Sequence, residues 1–227
     1  MSVSRLRQAY SQGIFPWFNP EEPILWWSPD PRMVLRCQSF HLSHTMRKKM
    51  RQIARQQSLG DMRVMVTVDC AFDQVMAACA HTPRHGSSRT WITNDMFQAY
   101  RSWHQAGEAH SVETWLDGQL AGGLYGVCLG SMFFGESMFA WQTDASKIAL
   151  AHVVRFLQRS GCELIDCQME TSHLASLGAE AIARGTFCEH VRHAVRQPKI
   201  DWQPGWIDEN GSLHPLTPAE QAAKPMA

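Results

Sequence analysis

The 227-residue chain lacks an excess of charge of either sign, because 21 Lys and Arg residues balance 21 Asp and Glu residues. Net charge therefore gives no indication of a nucleic-acid partner. The chain also lacks any run of about 18 apolar residues, and its N-terminus lacks a basic segment followed by a long apolar one. We therefore predict neither a membrane span nor a signal peptide, and we expect a cytoplasmic protein.

Cysteines at metal-binding or redox spacing are also missing. The seven cysteines are odd in number and contain no Cys-x-x-Cys motif, which favours reduced, mostly buried thiols over a disulfide framework. The nearest approach to a metal motif is Cys188-x-His190-x-x-His193, whose spacing matches no common zinc site and is also typical of a solvated helix. We predict no metal and no cofactor.

Polar side chains interrupt two otherwise apolar segments. Glu136 lies in the segment 134–139, and Asp166 and Gln168 lie in the segment 164–168. Burying a carboxylate without a partner is costly, so this group suggests a site for a cationic or amine ligand. For each residue taken singly, helix capping or internal pairing is the alternative interpretation.

Five basic residues lie close together in a segment, 47–60, that contains no acidic residue. The members of this basic strip are Arg47, Lys48, Lys49, Arg51 and Arg55. Taken alone, such a run favours a solvated helix face over a nucleic-acid surface.

Apolar periodicity and turn residues predict strands and helices in the middle of the chain. Residues 63–68 alternate as a strand, Asp69 is expected to cap the following helix, and Thr93 is expected to cap the next one. Asp117–Gly118 is a hairpin signal between strands at 109–116 and 119–129. A strand at 131–134 would place Glu136 just beyond its end.

The second half is predicted to alternate helix and strand, and both ends to be irregular. A helix starting at Thr143 or Asp144 should end at Gly161. A strand at 163–168, a short helix at 173–177, a strand at Ile182 and a helix at about 186–196 should follow. Closely spaced prolines argue against a long helix or central strand within 4–36, and five prolines from Pro198 onward indicate a draped or disordered tail.

This order of elements is that of the N-acetyltransferase (GNAT-like) acyltransferase fold, in which split central strands form a cleft for an acyl donor and an amine. Coenzyme A users of the fold carry a glycine-rich turn that holds pyrophosphate at the start of the helix after the meander. The corresponding residues, 136–144, contain no glycine and two acids, which predicts a poor pyrophosphate site.

Nine motifs resemble the leucyl/phenylalanyl-tRNA-protein transferase family, in order and with few gaps from about Arg5 to Arg196. They are Ile14-Phe-Pro-Trp-Phe18, Ile24-Leu-Trp-Trp-Ser-Pro-Asp-Pro-Arg32, Thr90-Trp-Ile-Thr93, His110-Ser-Val-Glu113, Gly122-Gly-Leu-Tyr-Gly126, Phe134-Gly-Glu-Ser-Met-Phe139, Asp144-Ala-Ser-Lys147, Leu164-Ile-Asp-Cys-Gln168 and His173-Leu-Ala-Ser-Leu-Gly178.

The resemblance implies an α/β, GNAT-like (FemX-like) enzyme that acts as a monomer without a cofactor. It would transfer Leu, Phe or Met from aminoacyl-tRNA to the N-terminal α-amine of proteins beginning with Arg or Lys, which marks them as N-degrons for degradation. We predict an N-terminal aromatic and basic domain at 1–60, a catalytic domain at 61–197 and a Pro-rich tail at 198–227.

The resemblance also implies roles for individual residues. Glu136, Asp166 and Gln168 would bind the acceptor and catalyse transfer, and Trp17 and Trp91 would hold the terminal adenosine. Tyr100 would border the site, and the basic strip is expected to contact phosphates of the tRNA acceptor stem. The apolar pocket for the transferred side chain would be lined by Leu124, Phe133, Leu150, Val153 and Ile165.

The chemistry that such a site needs is modest, because an aminoacyl ester is already activated. The enzyme must hold a neutral α-amine, with a pKa of about 8, against the ester carbonyl. Gln168 can accept a hydrogen bond from this amine while Asp166 polarises the amide, and an Asp or Glu charge can recognise the acceptor's cation. The 2′-hydroxyl of the tRNA is an alternative proton carrier.

Two departures from the family pattern stand out. The chain starts at the Ser-Arg-Leu part of the pattern, so we expect an incomplete first domain, and Ala140-Trp141 replaces the usual Ser-Arg pair. Two other functions remain open: an aminoacyl-tRNA-dependent peptidoglycan transferase, and a non-catalytic tRNA-binding module if the first domain is truncated.

Overall fold

The computed structural model describes residues 1–19, 22–82 and 92–216. The helices are α1 Val3–Tyr10, α2 His44–Ser58, α3 Phe72–His81, α4 Asn94–Gln105, α5 Ala145–Arg159, α6 Ser172–Ser176 and α7 Arg184–Ala194. The strands are β1 Phe15–Pro16, β2 Trp26–Trp27, β3 Arg32–Arg36, β4 Val64–Val68, β5 Ala109–Leu116, β6 Gln119–Leu129, β7 Met132–Ala140, β8 Leu164–Gln168, β9 Glu180–Ile182, β10 Gly205–Ile207 and β11 Leu213–Pro215.

A nine-stranded mixed sheet, in the order β11-β10-β4-β5-β6-β7-β8-β3-β9, forms the centre of the fold. Neighbouring strands are antiparallel except β7 and β8, which are parallel and pair over only two positions, Phe133 with Ile165 and Phe134 with Asp166. Backbone pairing between these two strands stops there. Glu136 and Gln168 therefore lie where β7 and β8 separate.

Helices cover both faces of the sheet, because side chains alternate along each strand. On one face, Tyr125 and Phe134 belong to a core that includes residues of α1, α3, α4 and α7. On the other face, Leu124 and Phe133 belong to a second core with residues of α2 and α5. The alternation thus divides the buried apolar residues of the central strands between two separate layers.

Several local predictions are confirmed. The Thr93 hydroxyl caps α4 by accepting a hydrogen bond from the Met96 amide. Asp117 and Gly118 both have positive φ and form the turn between β5 and β6. Gly161, with φ of +83°, follows α5 as expected for a helix end that needs a left-handed residue.

The start of α5 agrees with its prediction, because Asp144 is the N-cap residue of this helix; its carboxylate pairs with Lys49 at 2.7 Å. Two predictions about acidic residues are wrong. Asp69 does not cap α3; its carboxylate instead accepts hydrogen bonds from the Ser111 amide and the His110 ring. Glu136 lies inside β7 rather than beyond its end, because pairing with β6 continues to Ala140.

The predictions for the two chain ends are also wrong within the described residues. β3 begins directly after Pro31 and lies inside the sheet, between β8 and β9. Toward the C-terminus, β10 and β11 extend the sheet beside β4, so residues up to Leu216 are not an unstructured tail. The sheet thus takes strands from all three predicted segments, whose division into domains stays a prediction.

Candidate active site

Glu136 is the centre of a buried hydrogen-bond cluster. Its carboxylate accepts from the Tyr10 hydroxyl at 2.8 Å, the Tyr100 hydroxyl at 3.1 Å and the Gln168 side-chain amide at 3.3 Å. The two tyrosine hydroxyls also contact each other. Helices α1 and α4 thereby supply two donors to a strand residue, which satisfies a carboxylate that is almost fully buried.

The environment of Glu136 makes its protonation sensitive to pH near neutrality. Burial raises the pKa of Glu136 to about 7, although hydrogen bonds from Tyr10 and Tyr100 act in the opposite direction. The negative charge of Asp166 raises the pKa further, and Arg32 lowers it. Burial, followed by the charge of Glu136, also raises the pKa of Tyr10 well above its ordinary value. The tyrosines therefore act as neutral donors at pH 7.

Asp166 forms a buried, bidentate ion pair with Arg32. The Arg32 Nε donates to Oδ1 at 2.7 Å and Nη2 donates to Oδ2 at 2.6 Å, with both side chains at most 1 % exposed. Arg32 also donates to the Gly13 carbonyl at 3.1 Å. A paired geometry of this kind is what a carboxylate needs when water cannot reach it.

Gln168 ends β8 with its backbone in the left-handed region, at φ of +63°. Its backbone N–H donates to Asp166 Oδ1 at 2.9 Å, while its side-chain amide contacts Glu136. The expected polarisation of the Gln168 side chain by Asp166 is therefore wrong for this geometry. Asp166 contacts the Gln168 main chain, and Glu136 contacts the Gln168 side chain.

A cavity of about 390 Å³ lies beside this cluster. Four of the five residues predicted to form the apolar pocket line it, namely Leu124, Phe133, Leu150 and Ile165. Glu136, Asp166 and Gln168 line the same cavity. Val153 is buried in α5 outside the lining, and Tyr100 reaches the site through its bond to Glu136. An apolar compartment and the polar cluster thus share one space.

The structure describes one of the two aromatic residues that are predicted to hold the adenosine, and their role stays a prediction. Trp17 is partly exposed, and its ring lies 6.0 Å from that of Trp27 at a tilt of 59°. The Trp27 indole donates to the Trp17 carbonyl at 2.7 Å, which fixes the two residues together. Trp91 lies outside the described residues.

All five residues of the basic strip lie on α2. Lys49 pairs with Asp144, whereas Arg47 and Arg51 line a groove of about 720 Å³ together with Arg155 of α5. Arg155 is fixed by a 2.7 Å hydrogen bond to the Glu209 carbonyl. The structure therefore extends the basic surface from α2 onto α5, with one acid, Glu209, in the lining.

Sequence reasoning missed Tyr10 and Arg32 as site residues. Tyr10 lies at the apolar face of α1 and gave no sign of a polar contact. Arg32 stood at the end of a recognised motif, directly before the apolar residues Met33 to Leu35. A charged residue at the start of a buried strand was the available signal, since a buried Arg requires a partner.

Two classes of feature are missing from the described part of the chain. Residues 1–19, 22–82 and 92–216 contain no group of three or more His, Cys, Asp or Glu side chains placed to hold a metal ion. Within the same ranges, every helix is too short or too polar to span a bilayer.

Comparison with models of known protein families shows which family the chain belongs to. The model described as "Leucyl/phenylalanyl-tRNA protein transferase" matches residues 34–192, and the model of that family's N-terminal domain matches residues 1–30. The chain belongs to the leucyl/phenylalanyl-tRNA-protein transferase family. Because the N-terminal domain model is matched, the expectation of an incomplete first domain is not supported.

Relatives in the same family are similar over most of their length. The leucyl/phenylalanyl-tRNA–protein transferase of Bordetella petrii is 61% identical over 95% of this chain and 85% of its own. That of Burkholderia pseudomallei strain 668 is 55% identical over 88% of this chain and 76% of its own.

Similarity to solved structures is much weaker. L-PGS from Bacillus licheniformis has a TM-score of 0.37 and 12% identity, over 90% of this chain and 63% of that chain.

The departure at Ala140-Trp141 lies away from the polar cluster. Trp141 is 60% exposed, and its ring packs edge-on against Phe139 at 4.9 Å. Neither Ala140 nor Trp141 lines the 390 Å³ cavity.

Proposed function

We propose that this member of the family, acting as a cytoplasmic monomer with a GNAT-like fold, transfers Leu, Phe or Met from aminoacyl-tRNA to the N-terminal α-amine of proteins beginning with Arg or Lys. The product would be marked for degradation as an N-degron. The observation that carries the proposal is the shared cavity, in which apolar walls adjoin Glu136 and Gln168.

The apolar part of the cavity suits the transferred side chain. Leu124, Phe133 and Ile165 present buried apolar surface that favours Leu and Phe over polar donors, because burying an apolar side chain gains about 1.5–3 kcal/mol. Met is unbranched and adapts to the same space. Side-chain volume would thus select the donor without any polar contact.

The polar part of the cavity suits the reacting groups. The α-amine attacks the ester carbonyl carbon, a C–N bond forms, and the C–O bond to the ribose breaks. Glu136 accepts from the Gln168 Nε2, which leaves the Gln168 carbonyl oxygen free to accept a hydrogen bond from the attacking amine. The enzyme's main contribution is to orient the amine against an already activated ester.

The proton lost by the amine has two candidate acceptors. Glu136 lines the cavity and has a pKa of about 7, so it can accept the proton near neutrality and return it to the ribose 3′-oxygen as the C–O bond breaks, while the Gln168 amide only orients the amine. The 2′-hydroxyl of the tRNA is the alternative carrier. The two routes differ in their pH dependence, because only the first requires ionised Glu136.

Recognition of the acceptor would involve the charge of Glu136 rather than a direct ion pair. Its carboxylate already accepts three hydrogen bonds, so an incoming guanidinium or ammonium has little access to its lone pairs. Thr171, Ser172 and His173 line the same cavity and offer polar groups nearby. We propose that the acceptor's first residue enters along these residues.

The groove between α2 and α5 is the proposed tRNA surface. Arg47, Arg51 and Arg155 line it, and clustered guanidinium groups bind phosphates well. This interpretation adds Arg155 to the basic strip predicted on α2. Lys49 would contribute less, because its charge is paired with Asp144.

A direct transfer assay tests the proposal. The purified chain is incubated with labelled Phe-tRNA and a peptide beginning with Arg, and label in the peptide is measured. An otherwise identical peptide with an acetylated N-terminus is the control, because it has no free α-amine. Label in the Arg peptide alone supports the proposal. Tight tRNA binding without transfer would instead identify a non-catalytic tRNA-binding module.

A further inference from the structure

Arg32 is more buried than any catalytic role by direct contact would allow. It is 1% exposed, and its guanidinium lies over the rings of Phe15 at 4.7 Å and Phe187 at 4.5 Å. Such a site admits neither a substrate nor water. What Arg32 does for the reaction, it must do through the residues it contacts.

Those contacts form one chain that leads to the reacting groups. Arg32 donates to both oxygens of Asp166, and Asp166 Oδ1 accepts in addition from the Gln168 backbone. Gln168 in turn reaches Glu136 with its side chain. Arg32 also donates to the carbonyl of Gly13. Gly13 lies three residues after Tyr10, and the Tyr10 hydroxyl donates to Glu136.

The position most in need of such support is Gln168. A residue other than glycine at φ of +63° is in a sparsely populated region and persists only where its surroundings hold it there. The Asp166 carboxylate holds it through the Gln168 N–H, and Arg32 fixes the orientation of that carboxylate with a planar two-point contact.

We propose that Arg32 is a positioning residue, which holds the Asp166 carboxylate so that Gln168 keeps its left-handed turn and presents its side chain to the cavity. This inference rests on the proposed function for its effect on catalysis. Its structural part, the fixing of the Gln168 turn, is independent of that function.

Arg32→Lys is the informative substitution. Lys keeps a positive charge beside Asp166, so the buried carboxylate stays paired and the variant should fold. A single ammonium group cannot reproduce the two parallel hydrogen bonds by which the guanidinium fixes the orientation of the carboxylate. Arg36→Lys is the matched control, because Arg36 lies on the same strand and pairs with Glu180 through a similar Nε contact at the surface. The melting temperature of both variants is measured first.

The structural arm of the experiment needs no substrate. Hydrogen exchange of the Gln168 amide is followed at a temperature where each protein is fully folded. We expect exchange in Arg32→Lys to be faster by about tenfold or more, and exchange in Arg36→Lys to be unchanged. Unchanged protection of the Gln168 amide in Arg32→Lys would overturn the proposal, whether or not the chain transfers amino acids.

The catalytic arm uses kinetics and a double-mutant cycle. Arg32→Lys should lower kcat by about tenfold with the KM for Phe-tRNA unchanged, since the lost contact matters in the transition state. In the background of Gln168→Ala it should cause no additional loss, because Arg32 acts through Gln168. Additive losses of kcat would show instead that Arg32 acts independently of Gln168, which would contradict the proposal.

A fallback exists if Arg32→Lys does not fold. The double variant Arg32→Met with Asp166→Asn removes both buried charges together and keeps an oxygen that can accept from the Gln168 N–H. The same comparison of Gln168 exchange applies, and protection equal to that of the unchanged chain would contradict the proposal. If the Gln168 amide exchanges faster in the variant but the unchanged chain transfers no amino acid, the proposed function is contradicted and the positioning role of Arg32 is not.

Discussion

The Tyr10 hydroxyl donates a 2.8 Å hydrogen bond to Glu136, although 126 positions separate the two residues in the sequence. This contact joins the first helix to the seventh strand at the point where β7 and β8 separate. Together with Tyr100 and Gln168, it leaves the buried carboxylate satisfied in its ionised form. With a pKa of about 7, Glu136 changes its protonation state near neutral pH.

We expect Glu136→Gln to change how transfer depends on pH. Ionised Glu136 orients Gln168, so kcat should rise as pH increases through about 7, the pKa of this carboxyl. Gln cannot ionise, so the variant should lose that rise and keep only the one caused by the acceptor amine near pH 8. Single-turnover rates between pH 5.5 and 9 would measure both. A rise near pH 7 that persists in the variant would show that Glu136 does not take the proton.

Glu113→Gln is the control for that experiment. Burial raises the pKa of Glu113 to about 7 as well, but Glu113 does not line the cavity. Its substitution should change stability and leave the pH profile of transfer intact.

The stability of the protein should also depend on pH through the same two carboxyls. Each has a folded pKa of about 7 and an ordinary value of 4.5, so the folded state binds more protons between those values. Their contribution to the free energy of unfolding is therefore full below pH 4.5 and is lost as pH rises toward 7. The loss is about 3 kcal/mol per group at most. Urea unfolding measures the free energy of unfolding, which should decrease less between pH 4.5 and pH 8 in Glu136→Gln than in the unchanged chain.

Gln168→Ala should separate catalysis from stability. The side chain makes one 3.3 Å contact and is only partly buried, so its removal should change the free energy of unfolding by less than about 1 kcal/mol. Loss of the amine's hydrogen-bond acceptor should lower kcat by about 10²-fold. Met169→Ala, next in the chain and exposed, is the control. Unimpaired transfer by Gln168→Ala would exclude a catalytic role for the residue.

The sequence could reveal Glu136 and Gln168 because polar residues inside apolar strands break a clear pattern. Tyr10 could not be recognised in the same way. A tyrosine on the apolar side of an amphipathic helix is typical of ordinary core packing, and only the tertiary structure places its hydroxyl beside a carboxylate. Arg32 was hidden for a related reason, since its partner Asp166 lies 134 positions away.

The errors in the fold have physical causes too. Closely spaced prolines argue against a central strand within 4–36 and for an irregular tail from Pro198 onward, yet a proline just before a strand or at its end removes no internal ladder bond. β3 starts after Pro31, and β11 ends at Pro215. Short strands of three residues, such as β10, carry too few residues for periodicity to indicate them.

Leu150→Ala should alter the choice of donor. Enlarging the apolar cavity should weaken the use of Leu relative to Phe, by about 1–3 kcal/mol in kcat/KM, because a pocket discriminates by volume. Leu157→Ala is the control: it lies two turns further along α5, is fully buried and does not line the cavity. Both variants should lose stability, and only the first should change the Leu to Phe ratio in a competition assay. In the unchanged chain, equal transfer of Val and Leu would contradict the pocket assignment.

Substitution of Arg47, Arg51 and Arg155 by Ala should weaken tRNA binding and reduce its salt dependence. Each phosphate contact that is lost should lower the slope of log affinity against log salt by about one. Lys49→Ala should have a smaller effect, because Lys49 is already paired with Asp144 at 2.7 Å. Arg63→Ala is a further control, as Arg63 is exposed and lies outside the groove. The slope of log affinity against log salt is measured by the binding of tRNA that carries no amino acid, at several salt concentrations. If the slope is unchanged in the triple variant, the basic strip does not contact tRNA phosphates and is only a solvated helix face.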